Sequence, residues 1–216
     1  MKKISAILAA AMTITSVSFA SPLTDYTQGK AAIDLNPNIN SDSTKDNVSG
    51  GITYGVGNKF ALQYKYADNK NKNYLRMTPP SNAHAQLSAY EMNVLYQINP
   101  NVSAYAGWAG ETAKINLLYY AGPDLGNIIY RERGSQSSFH LGLIGQTKFT
   151  ENLTGWASAG AGSHIIGYEV GLGYSIAKNA ECNVIYRYNK YQGFNLSDGK
   201  IDVKIEGVGA GITLTF

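Results

Sequence analysis

Cysteine is all but missing from this chain. Cys182 stands alone among 216 residues, so an internal disulfide framework is excluded. Charge is scarce as well: Asp, Glu, Lys and Arg make up 15% of the chain, against about 25% in ordinary soluble domains. Neither sign dominates, with 18 Lys+Arg against 15 Asp+Glu, which excludes an acidic or basic tail and the footprint of a nucleic-acid binder. Beyond residue 20 there is no long apolar run either. The longest uncharged stretch, Met92–Gly110, is broken by Asn93, Gln97 and Asn99-Pro100-Asn101, whereas a membrane-spanning helix needs about 20 predominantly apolar residues. A mean hydropathy of −0.19 agrees that this is not a bundle of membrane helices.

What is present begins with a targeting segment. Lys2 and Lys3 open a basic start, Ile4–Val17 is apolar or small, and Ser18-Phe19-Ala20 supplies a small-x-small cleavage pattern. Residues 1–20 therefore read as a cleaved signal peptide and 21–216 as the mature domain. Without Lys2 and Lys3 the balance narrows to 16 basic against 15 acidic residues. All 23 Gly and all 16 Tyr lie beyond residue 20. Cys182 falls 162 residues past the cleavage site, which excludes an N-terminal lipoprotein anchor, and its strand position reads as a small apolar filler.

Strict alternation dominates the mature region. Phe216, Leu214, Ile212, Ala210 and Val208 share one face of the last run, while Thr215, Thr213, Gly211, Gly209 and Gly207 share the other. Tyr168, Val170, Leu172, Tyr174 and Ile176 oppose Glu169, Gly171, Gly173 and Ser175. The same pattern recurs around Phe60–Tyr66, Tyr90–Ile98, Phe139–Leu143 and Cys182–Tyr188, and in shorter form at Ile52–Val56 and Ala31–Leu35. A soluble sandwich alternates too, but it sets Lys, Glu and Thr densely on its polar face. Here that face carries Gly and Ser with isolated charges, and the apolar face is heavy in Tyr and Phe. A barrel in lipid needs this inversion, with hydrocarbon outside and small or polar groups in the lumen.

Tight turns at Gly57-Asn58-Lys59, Asn99-Pro100-Asn101, Thr150-Glu151-Asn152 and Lys178-Asn179-Ala180 separate alternating runs. Longer polar connections fall at 40–49, 69–86, 113–135 and 193–202, with a brief one near Ser163-His164. Short turns alternating with long loops is the asymmetry of membrane barrels, the short set being periplasmic. The expectation is an all-β, antiparallel up-and-down transmembrane β-barrel of ten strands, near 29–39, 49–57, 59–69, 87–98, 101–112, 136–149, 153–162, 166–177, 181–192 and 203–216, with eight or twelve left open. Trp156 falls on the lumen side of the Ala/Gly-rich 153–162 run, which a bulge would reverse. Within the longest loop, Ile115–Tyr120 and Asn127–Arg131 flank Gly122-Pro-Asp-Leu-Gly126, so 114–133 reads as an exposed ribbon.

Together the leader, the alternating strands and the terminal Gly207-Val-Gly-Ala-Gly-Ile-Thr-Leu-Thr-Phe216 resemble small bacterial outer-membrane β-barrel proteins, the porin-like family. The resemblance covers 29–216 as architecture and implies location in the bacterial outer membrane. It also implies that Ile212, Leu214 and Phe216 form the signal read by the barrel assembly machinery. Members of that family include passive pores, adhesins and a few enzymes.

An enzyme reading has the least support. Barrel-type lipid A deacylases resemble one another in a His-x-Ser pair with a distant Glu, but His140 is followed by Leu-Gly and His164 by Ile-Ile. His84 falls in a polar loop, and the loop acids Asp42, Asp46, Asp124, Asp198 and Asp202 lack a matching His. No spacing resembles a metal site, and no cofactor is expected. The candidate functional residues are the mid-strand charges Asp34, Lys65, Glu91, Glu111, Glu169 and Arg187, all on the inferred lumen face. Glu169 and Arg187 sit at one height across a hairpin, as an ion pair would. These charges line either a narrow porin-like channel for small solutes or a closed, passive barrel. The lumenal glycines favour the channel by leaving room; surface adhesion through the 114–133 ribbon is the alternative. Outer-membrane lipid and the assembly machinery are the expected partners of a monomer.

Overall fold

The computed structural model describes residues 13–15, 22–23, 25–37, 48–71, 81–120, 127–197 and 199–216. The leader expected over 1–20 lies outside these except for a three-residue strand, β1 (Thr13–Thr15), which runs parallel to Lys204–Glu206. Ten antiparallel strands follow: β2 (Ala31–Pro37), β3 (Val48–Gly57), β4 (Phe60–Asn71), β5 (Ser81–Asn99), β6 (Val102–Tyr120), β7 (Asn127–Lys148), β8 (Leu153–Gly162), β9 (Ile165–Ala177), β10 (Ala180–Leu196) and β11 (Gly199–Thr215). Each pairs with its sequence neighbours, and β11 pairs back onto β2 from Ile212↔Leu35 to Thr215↔Ala32, which closes the barrel.

Register fixes its geometry. The pairing row through Asp34 runs by Gly51, Lys65, Glu91 and Ala109 to Ser138 on β7. In the other direction it runs by Thr213 and Glu181 to Ser175 on β9, and the β8–β9 and β7–β8 registers carry it on through Asn152 to the β7 line at residue 150. The two ends differ by twelve residues, so the strands are tilted, at the roughly 35–45° typical of closed barrels.

The alternation lands as the sequence predicts. Leu62, Met92, Trp108, Leu141, Leu172, Val184 and Val208 lie on the exposed outer face, while Asp34, Asn93, His140, Glu169, Asn183 and Arg187 are buried inside. Two aromatic levels mark the belt. Phe60 and Tyr96 meet near the short turns, with ring centroids 5.0 Å apart. Tyr168 and Tyr188 stack at 5.3 Å near the other border. Tyr and Phe suit such borders because their rings favour the membrane–water interface.

The strands extend further outward than alternation predicts. β5 begins at Ser81 and β10 and β11 continue to Leu196 and Gly199, where the sequence predicts loops at 69–86 and 193–202. The cause is a reversal of facing chemistry. In β11 the outward residues Val208, Ala210 and Ile212 give way to Glu206, Lys204 and Asp202, while the inward Gly207 and Gly209 give way to Ile205, Val203 and Ile201. Above the belt the barrel is in water on its outside, so the apolar face turns inward as in any soluble sheet. A pattern search tuned to one phase reads the inverted phase as a polar loop. The ribbon expected at 114–133 is made by β6 and β7, paired from Lys114↔Arg133 to Tyr120↔Asn127, and residues 121–126 lie outside the described set.

Candidate functional site

All six mid-strand charges face the lumen. The Arg187 guanidinium pairs with Glu169 directly across the β9–β10 register, its Nε donating to Glu169 Oε2 at 2.9 Å. Trp156 Nε1 donates to the other carboxylate oxygen at 3.3 Å. Both charged side chains are almost fully buried, at 6% and 9% exposure, so hydrogen bonds to the remaining lone pairs matter to the stability of the pair. Asp34, Lys65 and Glu91 share one pairing row, with Gly51 between the first two. Glu111 accepts from Ser138 Oγ at 3.4 Å.

A second lumenal feature was not anticipated from the sequence. Gln63 Nε2 donates to Thr53 Oγ1 at 3.1 Å, Asn93 Nδ2 donates to Gln63 Oε1 at 3.2 Å, and His140 Nε2 lies 2.7 Å from Asn93 Oδ1. Four strands contribute, yet β6 places Gly107 between Asn93 and His140. A Cβ at Gly107 would collide with the Asn93 amide, so glycine is what lets Asn93 reach across to the histidine. His140 also meets the Tyr105 ring edge-on at 5.8 Å.

The same principle governs other lumenal glycines and corrects the expectation that they leave room. A side chain at Gly142 or Gly160 would strike the Tyr105 phenol, and one at Gly171 would strike the Trp156 indole. Glycine on one strand makes space for a large group lying flat from its neighbour. Tyr26, Tyr105 and Tyr191 thus belong to the interior, not to the lipid face where the sequence distributes its tyrosines.

Apolar side chains pack across both ends of the lumen. Toward the outer side, Leu87 and Ile115 from β5 and β6 join Tyr191, Phe194, Ile201 and Val203 from β10 and β11 in one buried cluster. These strands are not neighbours, so the side chains meet across the barrel. Beyond the short β8–β9 hairpin the wall is completed by β10 against β7. There Ser197 N donates to Glu132 Oε2 at 2.9 Å, and Phe194 and Leu196 crowd Gly134. At the turn end, Leu23 and Tyr26 enter the mouth and pack with Ala32, Ala61, Leu95 and Ile144. Backbone bonds fasten that segment, with Gly57 N donating to Tyr26 O at 3.0 Å and Lys30 N to Thr27 O at 3.1 Å. Between the clusters lies a cavity of about 50 Å³ lined by Lys65, Glu91, Tyr105, His140, Glu169 and Arg187 among others.

Of the other candidates, Ile212 and Phe216 are exposed on the outer face beside the half-buried Leu214, and Phe216 exchanges both backbone bonds with Ala31 at the seam. Cys182 is exposed on the lipid side. His84 lies in β5 opposite Asn116 rather than in a loop, and its side chain is not described. His164 sits in the β8–β9 turn. Among the described residues no group of His, Cys, Asp and Glu is arranged to hold a metal. Above the belt, the Lys190 ammonium, 2.9 Å from Asp202, and the Gly193 amide hold the Asp202 carboxyl below its ordinary range.

No protein-family profile and no curated protein matches the chain. Among solved structures it is similar to Ail, the attachment invasion locus protein of Yersinia pestis, at 13% identity and a TM-score of 0.42, over 88% of this chain and 100% of that one. It is also similar to Neisserial surface protein A, at 17% identity and a TM-score of 0.36 over 87% and 94% of the two chains. The N-terminal β-barrel domain of Pseudomonas aeruginosa OprF gives 13% and 0.34 over 88% and 98%. The chain's own geometry carries the assignment: a ladder with no free edge around the belt strands β3–β10, an outer face that only hydrocarbon could solvate, and an interior that holds the buried charges. It is a closed, ten-stranded transmembrane β-barrel.

Proposed function

We propose that the protein is a sealed, passive barrel that anchors a β extension above the outer membrane, and not a porin-like channel. The observation that carries this reading is the pair of apolar clusters meeting across the lumen, with a cavity of about 50 Å³ between them. A hydrated ion pathway needs a continuous polar passage, whereas each cluster places aliphatic and aromatic groups in contact across it. Purified protein in planar bilayers is expected to give no discrete conductance steps at any voltage. Reproducible steps from the full-length protein would overturn the reading.

Surface adhesion through the 114–133 ribbon is the second reading. β6 and β7 run to 19 and 22 residues, about twice the 9–11 that cross the hydrocarbon, so a paired ribbon stands clear of the membrane. Deleting 114–133 and closing the hairpin is expected to abolish any cell or matrix binding while leaving barrel assembly intact. Outer-membrane lipid modification has the least support, since His140 Nε2 is engaged by Asn93 inside the barrel. Ile212, Leu214 and Phe216 remain the proposed assembly signal of a monomeric barrel.

A further inference from the structure

On the outer wall, three successive pairing rows of β9, β10 and β11 change character. Val170, Tyr186 and Val208 form the last mainly apolar row; Tyr168, Tyr188 and Glu206 form the next; Ile166, Lys190 and Lys204 follow. Lys190 and Lys204 are directly opposite each other. Like charges in that relation destabilise a sheet, and the placement stands out in a chain with few charges.

The surroundings organise this pair. Lys204 pairs with Glu206 and its Nζ sits 4.9 Å over the Tyr188 ring, which stacks on Tyr168 with only 12° between planes. Tyr186 Oη donates to Glu206 Oε1 at 2.7 Å. Lys190 is held 2.9 Å from Asp202, which also accepts from Gly193 N at 3.0 Å. An ammonium carries three donors, and one carboxylate contact on each lysine leaves donors on both for a shared anion. The result is two neighbouring cations, Lys204 over an aromatic shelf and Lys190 beside it, each with a carboxylate partner, at the level where the belt ends.

We propose that this patch binds the phosphorylated sugar headgroup of a glycolipid in the outer leaflet. The lysines take a phosphate, the tyrosine faces take a sugar ring, and the carboxylates accept from its hydroxyls. The level of the patch favours a lipid as the source, because the acyl chains of a bound molecule would lie along Val170, Val208 and the apolar rows below. The proposal is independent of whether the lumen conducts.

The test is native mass spectrometry of the detergent-purified protein with a diphosphorylated glucosamine-disaccharide lipid. The same lipid without phosphates, its deacylated headgroup, and phosphatidylglycerol serve as comparison ligands. Retention of the intact phosphorylated lipid is expected, with about fivefold weaker binding for K190A or K204A and about 25-fold for both. Y188A should weaken binding with the lysines intact, whereas K114A, an exposed lysine on β6, should not. Heat-modifiable gel migration confirms that each variant is folded. Equal binding of the phosphate-free lipid, or unchanged binding in the folded K190A/K204A protein, would overturn the proposal. Preference for the deacylated headgroup would overturn its lipid source.

Discussion

Replacing Arg187 with Met distinguishes a sealed lumen from a wet one without measuring current. The substitution keeps an unbranched side chain of similar reach but leaves the Glu169 carboxylate without its cation. In a water-filled passage the pair would behave as a surface ion pair, whose loss costs about 0–1 kcal/mol. The structure places the two side chains at 6% and 9% exposure, with Trp156 already occupying one carboxylate oxygen. At an effective dielectric of about 20, unit charges some 4 Å apart attract by about 4 kcal/mol. Removing one partner of a buried pair costs about 3–5 kcal/mol. The expected loss for R187M is therefore about 3–4 kcal/mol.

Reversible urea unfolding in lipid vesicles, followed by Trp fluorescence, measures this directly. Neutralising the survivor provides the control: the R187M/E169Q double variant is expected to recover more than half of the loss, because no uncompensated charge remains inside. The cycle should show a coupling above about 2 kcal/mol. An R187M loss below about 1 kcal/mol, or single losses that simply add, would mean that water reaches the pair and that the lumen is not sealed.

Three further outcomes follow from the packing. Gly171→Ala places a methyl in the Trp156 indole and is expected to cost about 1–3 kcal/mol in the same unfolding assay, whereas Gly145→Ala, where nothing lies within 4 Å, should be near neutral. Tyr26→Ala removes the aromatic that closes the turn-end mouth, so about 3 kcal/mol should be lost in the same assay, while the outer cluster around Leu87, Ile115 and Phe194 keeps the variant silent in planar bilayers; unchanged stability would refute the role given to Leu23 and Tyr26. Asp202 is acidified by Lys190 and the Gly193 amide, and a depressed folded-state pKa contributes stability above the unfolded value near ~4 that is lost as pH falls through the folded one. The Gly193 amide, corrected for intrinsic exchange, should therefore lose protection at pH 3 relative to pH 6, an exposed-pair effect of under about 1 kcal/mol that Asp202→Asn abolishes.

The sequence is informative wherever one residue's chemistry answers to one solvent. Leu172 and Val170 face lipid, Glu169 and Gly171 do not, and that contrast alone places β9 in a barrel wall. It also set Glu169 and Arg187 at one height, because a tight turn at Lys178–Asn179 fixes the register of the hairpin. The outer ends of β10 and β11 were harder. Ile201, Val203 and Ile205 alternate as cleanly as Val208, Ala210 and Ile212, but in the opposite phase, since the outside changes from hydrocarbon to water near Glu206. Both halves are strands obeying one rule under two solvents, and only the three-dimensional level of the belt says where the rule flips.

The lumen was legible least, and its glycines show why. Gly107, Gly142, Gly160 and Gly171 look in sequence like empty wall, which favours a narrow channel over a closed barrel. In the barrel each is a neighbour of something large: Asn93 reaches across Gly107, Tyr105 spans Gly142 and Gly160, and Trp156 lies on Gly171. Those neighbours are set by cross-strand register and tilt, not by spacing along the chain, so the room that a glycine leaves cannot be assigned to solvent from its own strand. A lumen rich in glycine is therefore as compatible with a filled barrel as with a pore. What decides between them is whether the large residues that face it, here Tyr26, Tyr105, Trp156, Tyr191 and Phe194, lie down into those spaces.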